Sequence, residues 1–365
     1  MREWNDPFNP FNSMKILMWR EHLEACAKGE FLPPVTVDVD PSNRCNFDCI
    51  WCNAFDMMHS GNKITDIPEK HLIKLADFFK RWGVNSSCVA GGGEPLLNNG
   101  TMSFLERMYV NGLENGLITN GVLLNDEKID IIAKTCRWVG ISMDSATPET
   151  FIKVKGIKNK ELYYKVIENL KKLTKRIRDL GVKNDVCYKF LLHPYNANEI
   201  LDAVKLAKEC GVNDFQLRPV GWINLTKTKD KKLDFNGMYE NIDKQIEESL
   251  KLETKDFHVY GIRHKFNPDL KPKKNFKKCW AIPMLPTFGA DGNVHTCFDM
   301  RGREDLIMCK HYPDPEEVLK FWNSDKHKEI INNIDIDTCP RCTWTTYNEA
   351  VEKVIIDDKM CYKFP

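Results

Sequence analysis

Between about residue 35 and about residue 220, short apolar runs alternate with amphipathic stretches. That rhythm predicts repeated βα units around a parallel sheet. Six strands are expected: "VTVDV" (35–39), "SSCVA" (86–90), "GLITN" (116–120), "WVGISM" (138–143), "VCYKFLL" (186–192) and "FQLRPV" (215–220). Between them lie helices with legible ends. In "TDIPEKHLIKLADFFKRWG" a proline sits early, Leu72, Leu75, Phe78 and Phe79 recur on one face, and Gly83 closes the run. "NANEILDAVKLAKECG" (196–211) has the same design. Right-handed crossovers would wind six such units into an open barrel or a doubly wound sheet, with the loops after the strand C-termini forming the ligand face.

Outside this stretch the pattern changes. Residues 1–34 hold one amphipathic helix, "FNSMKILMWREHLEACAKG", and form an N-terminal extension. The βα region is expected to run over 35–255, including a further helix at about 236–252. "HKFNPDLKPKKNFKKC" then reads as a connector, and its lysines (Lys271, Lys273, Lys274, Lys277, Lys278) as a solvated face rather than a phosphate site. The remainder of 256–365 carries Cys279, Cys297, Cys309, Cys339, Cys342 and Cys361 without a βα repeat, and is expected to be a second, small domain.

Composition narrows the partners. At 365 residues the chain can bury a sizeable core without disulfides. Lys plus Arg (53) and Asp plus Glu (52) nearly cancel and are scattered, so neither nucleic acid nor membrane is an expected partner. No signal-type h-region or run of about 18 apolar residues occurs, and the expected location is cytoplasmic. A small molecule or a peptide remains. Fourteen cysteines in a reducing compartment point to metal binding, catalysis or burial.

"NRCNFDCIWCN" places Cys45, Cys49 and Cys52 in one tight loop after the first strand, on the ligand face. A structural zinc site wants four ligands. Three thiolates on a 4Fe–4S cluster leave one iron open for chemistry. The spacing Cys-x3-Cys-x2-Cys, with Trp51 before the third cysteine, resembles the signature of the radical S-adenosylmethionine (radical SAM) superfamily. The resemblance extends to "GGGEP" (91–95), "ITNG" (118–121) and "ISMDS" (141–145), each ending a successive strand. It implies a partial (β/α)6 barrel over roughly 35–220, and a SAM site at Trp51, Gly91, Gly92, Gly93, Glu94, Thr119, Asn120, Ser142 and Asp144. Glycines let backbone approach a ligand closely, and Glu94 can accept from the SAM ammonium. The implied chemistry is cleavage of SAM to a 5′-deoxyadenosyl radical that takes a hydrogen atom from a substrate C–H bond.

By spacing alone, Cys279, Cys297, Cys339 and Cys342 suit zinc or an iron–sulfur cluster equally. "GADGNVHTC" predicts a β-hairpin with Asp-Gly at its turn. With it, the pattern resembles the auxiliary-cluster region of SPASM and twitch domains, which implies an extra 4Fe–4S cluster on those four cysteines. "TWTTYNEAV" (343–351) stands where a SPASM domain would carry more cysteines, so a single auxiliary cluster is expected, in the layout of the twitch-type 2-deoxy-scyllo-inosamine dehydrogenases. Cys309 or Cys361 could replace a named ligand. Cys26, Cys88, Cys136, Cys187 and Cys210 fall in core patterns, with Cys187 also a candidate hydrogen donor; Lys189, His193 and Arg218 complete the candidate catalytic set.

The resemblance thus implies dehydrogenation or epimerisation of a sugar, aminocyclitol or nucleotide-linked sugar, with flavodoxin or ferredoxin as electron donor. Modification of a peptide or protein side chain is the alternative. The short stretch before the first strand, with no leader-binding domain, favours the small molecule.

Overall fold

The computed structural model describes residues 13–58, 65–220, 234–262, 274–339 and 342–356. Its centre is a run of parallel strands: β1 (Thr36–Val39), β2 (Ser86–Val89), β3 (Glu114–Thr119), β4 (Cys136–Ser142), β5 (Asp185–Leu192), β6 (Asp214–Pro219) and β7 (His258–Gly261). Each pairs in parallel with the next. The six strands expected from periodicity all form. The seventh, "HVYG", is a half-buried four-residue edge too short to stand out from the polar segment around it.

Helices cover the outer face: α1 (Arg20–Ala27), α2 (Glu69–Trp82), α3 (Gly100–Val110), α4 (Asp126–Thr135), α5 (Pro148–Lys155), α6 (Glu161–Leu180), α7 (Ile200–Glu209) and α8 (Tyr239–Leu250). Alternation along the strands sorts side chains between this layer and the interior. Val37, Val39, Val89, Val139, Tyr188 and Phe190 lie wholly buried in the core beneath the helices. Asp38, Cys88, Ser142, Lys189 and Arg218 point the other way, and most of them keep some exposure. The inner face is therefore concave, polar and open, which is the geometry of a partial α/β barrel.

The cysteine-rich segment joins the same sheet. β8 (Thr287–Phe288) pairs in parallel with β1, and β9 (Asn293–His295) and β10 (Ile307–Lys310) continue antiparallel beyond it. The predicted Asp-Gly hairpin is the β8–β9 turn, with Gly292 at a positive φ of 82°. Strand order across the described residues is β10-β9-β8-β1-β2-β3-β4-β5-β6-β7. A buried ion pair reinforces the join, Arg301 clasping Asp40 at the end of β1. No described helix is long and apolar enough to cross a membrane.

Candidate active site: two cysteine groups at the mouth of the barrel

The loop after β1 carries Cys45, which is exposed, and Cys49 and Cys52, which are half-buried. Its shape is fixed from several sides by backbone. Gly93 N–H donates to the Ser42 carbonyl and Glu94 N–H to that of Arg44, both at 2.8 Å. A Cβ on Gly93 would lie 2.0 Å from the Arg44 carbonyl oxygen, and one on Gly92 2.4 Å from Asn43 Oδ1. The close approach that the glycines permit is thus to the cysteine loop itself. On the opposite side Asp48 and Ile50 donate to the carbonyls of Lys155 and Val154, where α5 ends. Trp51 is buried against Val154, Val220 and Leu191, and its ring meets that of His193 at 5.3 Å.

Glu94 is buried and accepts three hydrogen bonds, from the Thr119 hydroxyl, Asn120 N–H (2.8 Å) and Leu96 N–H (3.1 Å). Burial raises its pKa against these donors. The Asn120 amide continues the chain of contacts to Asn46 Oδ1 at 2.7 Å, inside the cysteine loop. Two carboxylate oxygens offer about four acceptor positions, so Glu94 keeps capacity for one further donor. Asp144 has a positive φ of 59° and is committed within the chain: Lys155 Nζ reaches it at 2.6 Å and Leu191 N–H at 2.7 Å. Burial opposes the Lys155 ammonium, yet Asp144 and then Cys49 outweigh it and its pKa is raised. Gly91 has a φ of 131°, and Ser142 sits half-buried at the end of β4 beside Lys189 of β5.

Of the other candidates, Cys187 and Lys189 face the barrel interior. Lys189 Nζ donates to Gln216 Oε1 at 2.7 Å, and burial lowers its pKa. Burial pushes the Cys187 thiol up to about 12. His193 lies buried between Trp51 and Tyr195, its Nδ1 accepting from Tyr195 N–H at 3.1 Å, so its ring supports the cysteine loop. Arg218 is half-buried near the end of β6.

Cys279, Cys297, Cys339 and Cys342 all line one apolar cavity with Ile282 and Met300. Among the described residues no three His, Cys, Asp or Glu groups converge as ligands of a single metal ion. Two organisers here went unrecognised in the sequence. Asn348 Oδ1 accepts from Trp280 and Ala281 N–H (2.6 and 2.9 Å), while its amide reaches Cys342 Sγ at 3.5 Å. Asp299 accepts from Asn53, beside Cys52, at 3.3 Å and from Thr343, beside Cys342, at 3.2 Å. One carboxylate thus links the two cysteine-bearing loops. Cys309 lines a separate surface groove with Lys310 and Tyr312, and Cys361 lies outside the described residues.

The residues present fit a cluster and SAM. Burial, then the neighbouring Cys49, pushes the Cys52 thiol up to about 12. Beside Gly92, both polar side-chain atoms of buried Asn43 lack a partner within the chain.

Residues 39–207, a little under half of the chain, match the family model of the radical SAM superfamily. Relatives extend further along the chain. The GTP 3',8-cyclase of Nautilia profundicola is 24% identical over 327 residues, spanning 84% of this chain and 92% of its own. A probable GTP 3',8-cyclase of Saccharolobus solfataricus is 26% identical over 291 residues, 79% of this chain and 88% of that one. Among solved structures, Streptococcus suis SuiB bound to precursor peptide SuiA superposes with a TM-score of 0.64 at 16% identity, covering 96% of this chain and 79% of that one. Native anSMEcpe with bound AdoMet gives 0.58 at 16% identity, covering 87% and 89%. At these identities the structural likeness establishes the fold.

Proposed function

We propose that this protein is a radical SAM enzyme acting on a polar small molecule bound inside the barrel, with Cys279, Cys297, Cys339 and Cys342 holding one auxiliary 4Fe–4S cluster. The observation that carries this reading is the pairing of a three-cysteine loop at the barrel mouth with a four-cysteine cavity. Loaded on Cys45, Cys49 and Cys52, the first cluster with SAM would supply a 5′-deoxyadenosyl radical able to remove a hydrogen atom from a C–H bond. Glu94 and Asn43 would bind the polar end of SAM, and the concave inner face would position substrate and exclude competing reactions.

A fully ligated auxiliary cluster suits an electron acceptor, which favours two-electron oxidation of a carbinol or amine carbon. A sugar, aminocyclitol or nucleotide-linked sugar fits the polar interior around Lys189, Gln216 and Asp38. The GTP 3',8-cyclase relatives support a nucleotide-type substrate. Peptide side-chain modification is the second reading, favoured by the likeness of fold to SuiB, whose structure contains a precursor peptide. Flavodoxin or ferredoxin would serve as the cytoplasmic electron donor.

Anaerobic reconstitution should load about eight irons, two 4Fe–4S clusters' worth. Reduction with SAM should then give 5′-deoxyadenosine and methionine. Protein holding eight irons that does not cleave SAM would overturn the proposal. A product two hydrogens lighter marks dehydrogenation; an unchanged mass with inverted stereochemistry marks epimerisation.

A further inference from the structure

Inside the barrel, Asp38 of β1 and Thr287 of β8 are register partners on adjacent parallel strands. Register partners in a parallel pair present their side chains to the same face, about 4.8 Å apart along the hydrogen-bonding direction. Their neighbours fix which face that is. Val37, Val39 and Phe288 lie wholly buried in the core, Phe288 stacked edge-on against Phe79 of α2. Asp38 and Thr287 therefore look into the barrel. They are 9% and 0% exposed, and Asp38 Oδ2 and Thr287 Oγ1 have no hydrogen-bond partner. Polar atoms left without a partner in the interior are costly.

Neither nearby cation hydrogen-bonds to Asp38 Oδ2. Arg301 gives Nε and Nη2 to Asp40 and Nη1 to the Phe298 carbonyl. Lys189 gives Nζ to Gln216. On the other side of Asp38, its register partner on β2 is Cys88, half-buried on the same inner face. The strand pair thus ends in an unfilled acceptor and an unfilled hydroxyl.

Resting on the reading that substrate binds inside the barrel, we propose that Asp38 and Thr287 form a recognition pair for a hydroxyl group of the substrate. A hydroxyl both donates and accepts, so it donates to Asp38 Oδ2 while accepting from Thr287 Oγ1. An ammonium could donate to both groups but would leave the Thr287 hydroxyl hydrogen without an acceptor, whereas an alcohol uses both. The pair therefore selects an alcohol, which places a carbinol of a sugar, cyclitol or seryl group against the inner ends of β1 and β8.

Equilibrium dialysis of the reconstituted holoenzyme with SAM tests the pair, using GTP, scyllo-inositol and the peptide Gly-Ser-Gly as hydroxyl probes. Their counterparts are 2′-deoxy- and 3′-deoxy-GTP, cyclohexylamine and Gly-Ala-Gly. At least one hydroxyl probe should bind, weakening about tenfold or more in Asp38→Asn and several-fold in Thr287→Val, with Thr287→Ser restoring affinity. The matching deoxy probe should bind weakly and be indifferent to both substitutions. Iron content and circular dichroism identify any variant that misfolds, and Thr287→Val stands in if Asp38→Asn does so. Binding unaffected by both variants, cyclohexylamine losing as much as the alcohols, or no binding by any probe would each overturn the proposal. Substrate-free cleavage of SAM by the unaltered enzyme reads radical formation separately, so failure of that reading is distinguishable.

Discussion

Arg301 and Asp40 form a two-pronged ion pair in the interior, joining the cysteine-rich segment to the end of the first barrel strand five residues before Cys45. Both side chains are almost wholly withdrawn from water. Removing one partner strands the other charge at a cost of about 3–5 kcal/mol. Arg301→Met should lower the denaturant midpoint accordingly, and adding Asp40→Asn should restore most of the loss. Equal midpoints for Arg301→Met and the unaltered protein would show that the pair does not hold the two parts together.

Gly93→Ala bears on the first cysteine loop. Its Cβ would lie 2.0 Å from the Arg44 carbonyl, a backbone atom that cannot step aside without moving the loop. The variant should load about four irons rather than eight, with loss of SAM cleavage. Iron analysis and electron paramagnetic resonance with SAM added check this.

The two kinds of C-terminal cysteine should separate in the same assay. Cys342 lines the four-cysteine cavity, whereas Cys309 faces a different groove. Cys342→Ala should lose about half of the iron and Cys309→Ala none.

Burial lifts the Asp38 carboxyl to about 7, with Arg301 opposing, Asp40 and Asp299 adding, and the Cys88 thiol donating to it. Its ordinary value is about 3.9. Between these values the folded chain binds more protons at this site than the unfolded chain, so its contribution to stability falls as pH rises from about 4 and levels off above about 7. Asp38→Asn should therefore raise the melting temperature at pH 8 and leave it nearly unchanged at pH 4. An equal shift at both values would assign the effect to packing.

Local signals made much of this legible. Cys45, Cys49 and Cys52 announce themselves because eight residues hold the whole pattern, and the six strands because their period and caps are short-range. What could not be read is long-range. Asp144 and Thr119 follow the expected motifs, but that one holds Lys155 and the other Glu94 depends on which loops the fold brings together. Asn348 lies in the stretch notable only for lacking cysteines, yet it ties the Cys279 loop to Cys342. β8 is two residues long, too short for any periodicity, and only its partner strand gives it meaning.

That last pairing also has a consequence in time. Asp38 and Thr287 are register partners although about 250 residues of chain separate them. At translation rates of about 5–20 residues per second, β1 waits roughly 12–50 seconds on the ribosome for its neighbour. Throughout that wait one flank of the nascent barrel is a bare strand edge, the kind of surface that recruits other chains. The newborn polypeptide thus stands to gain from a chaperone until β8 emerges.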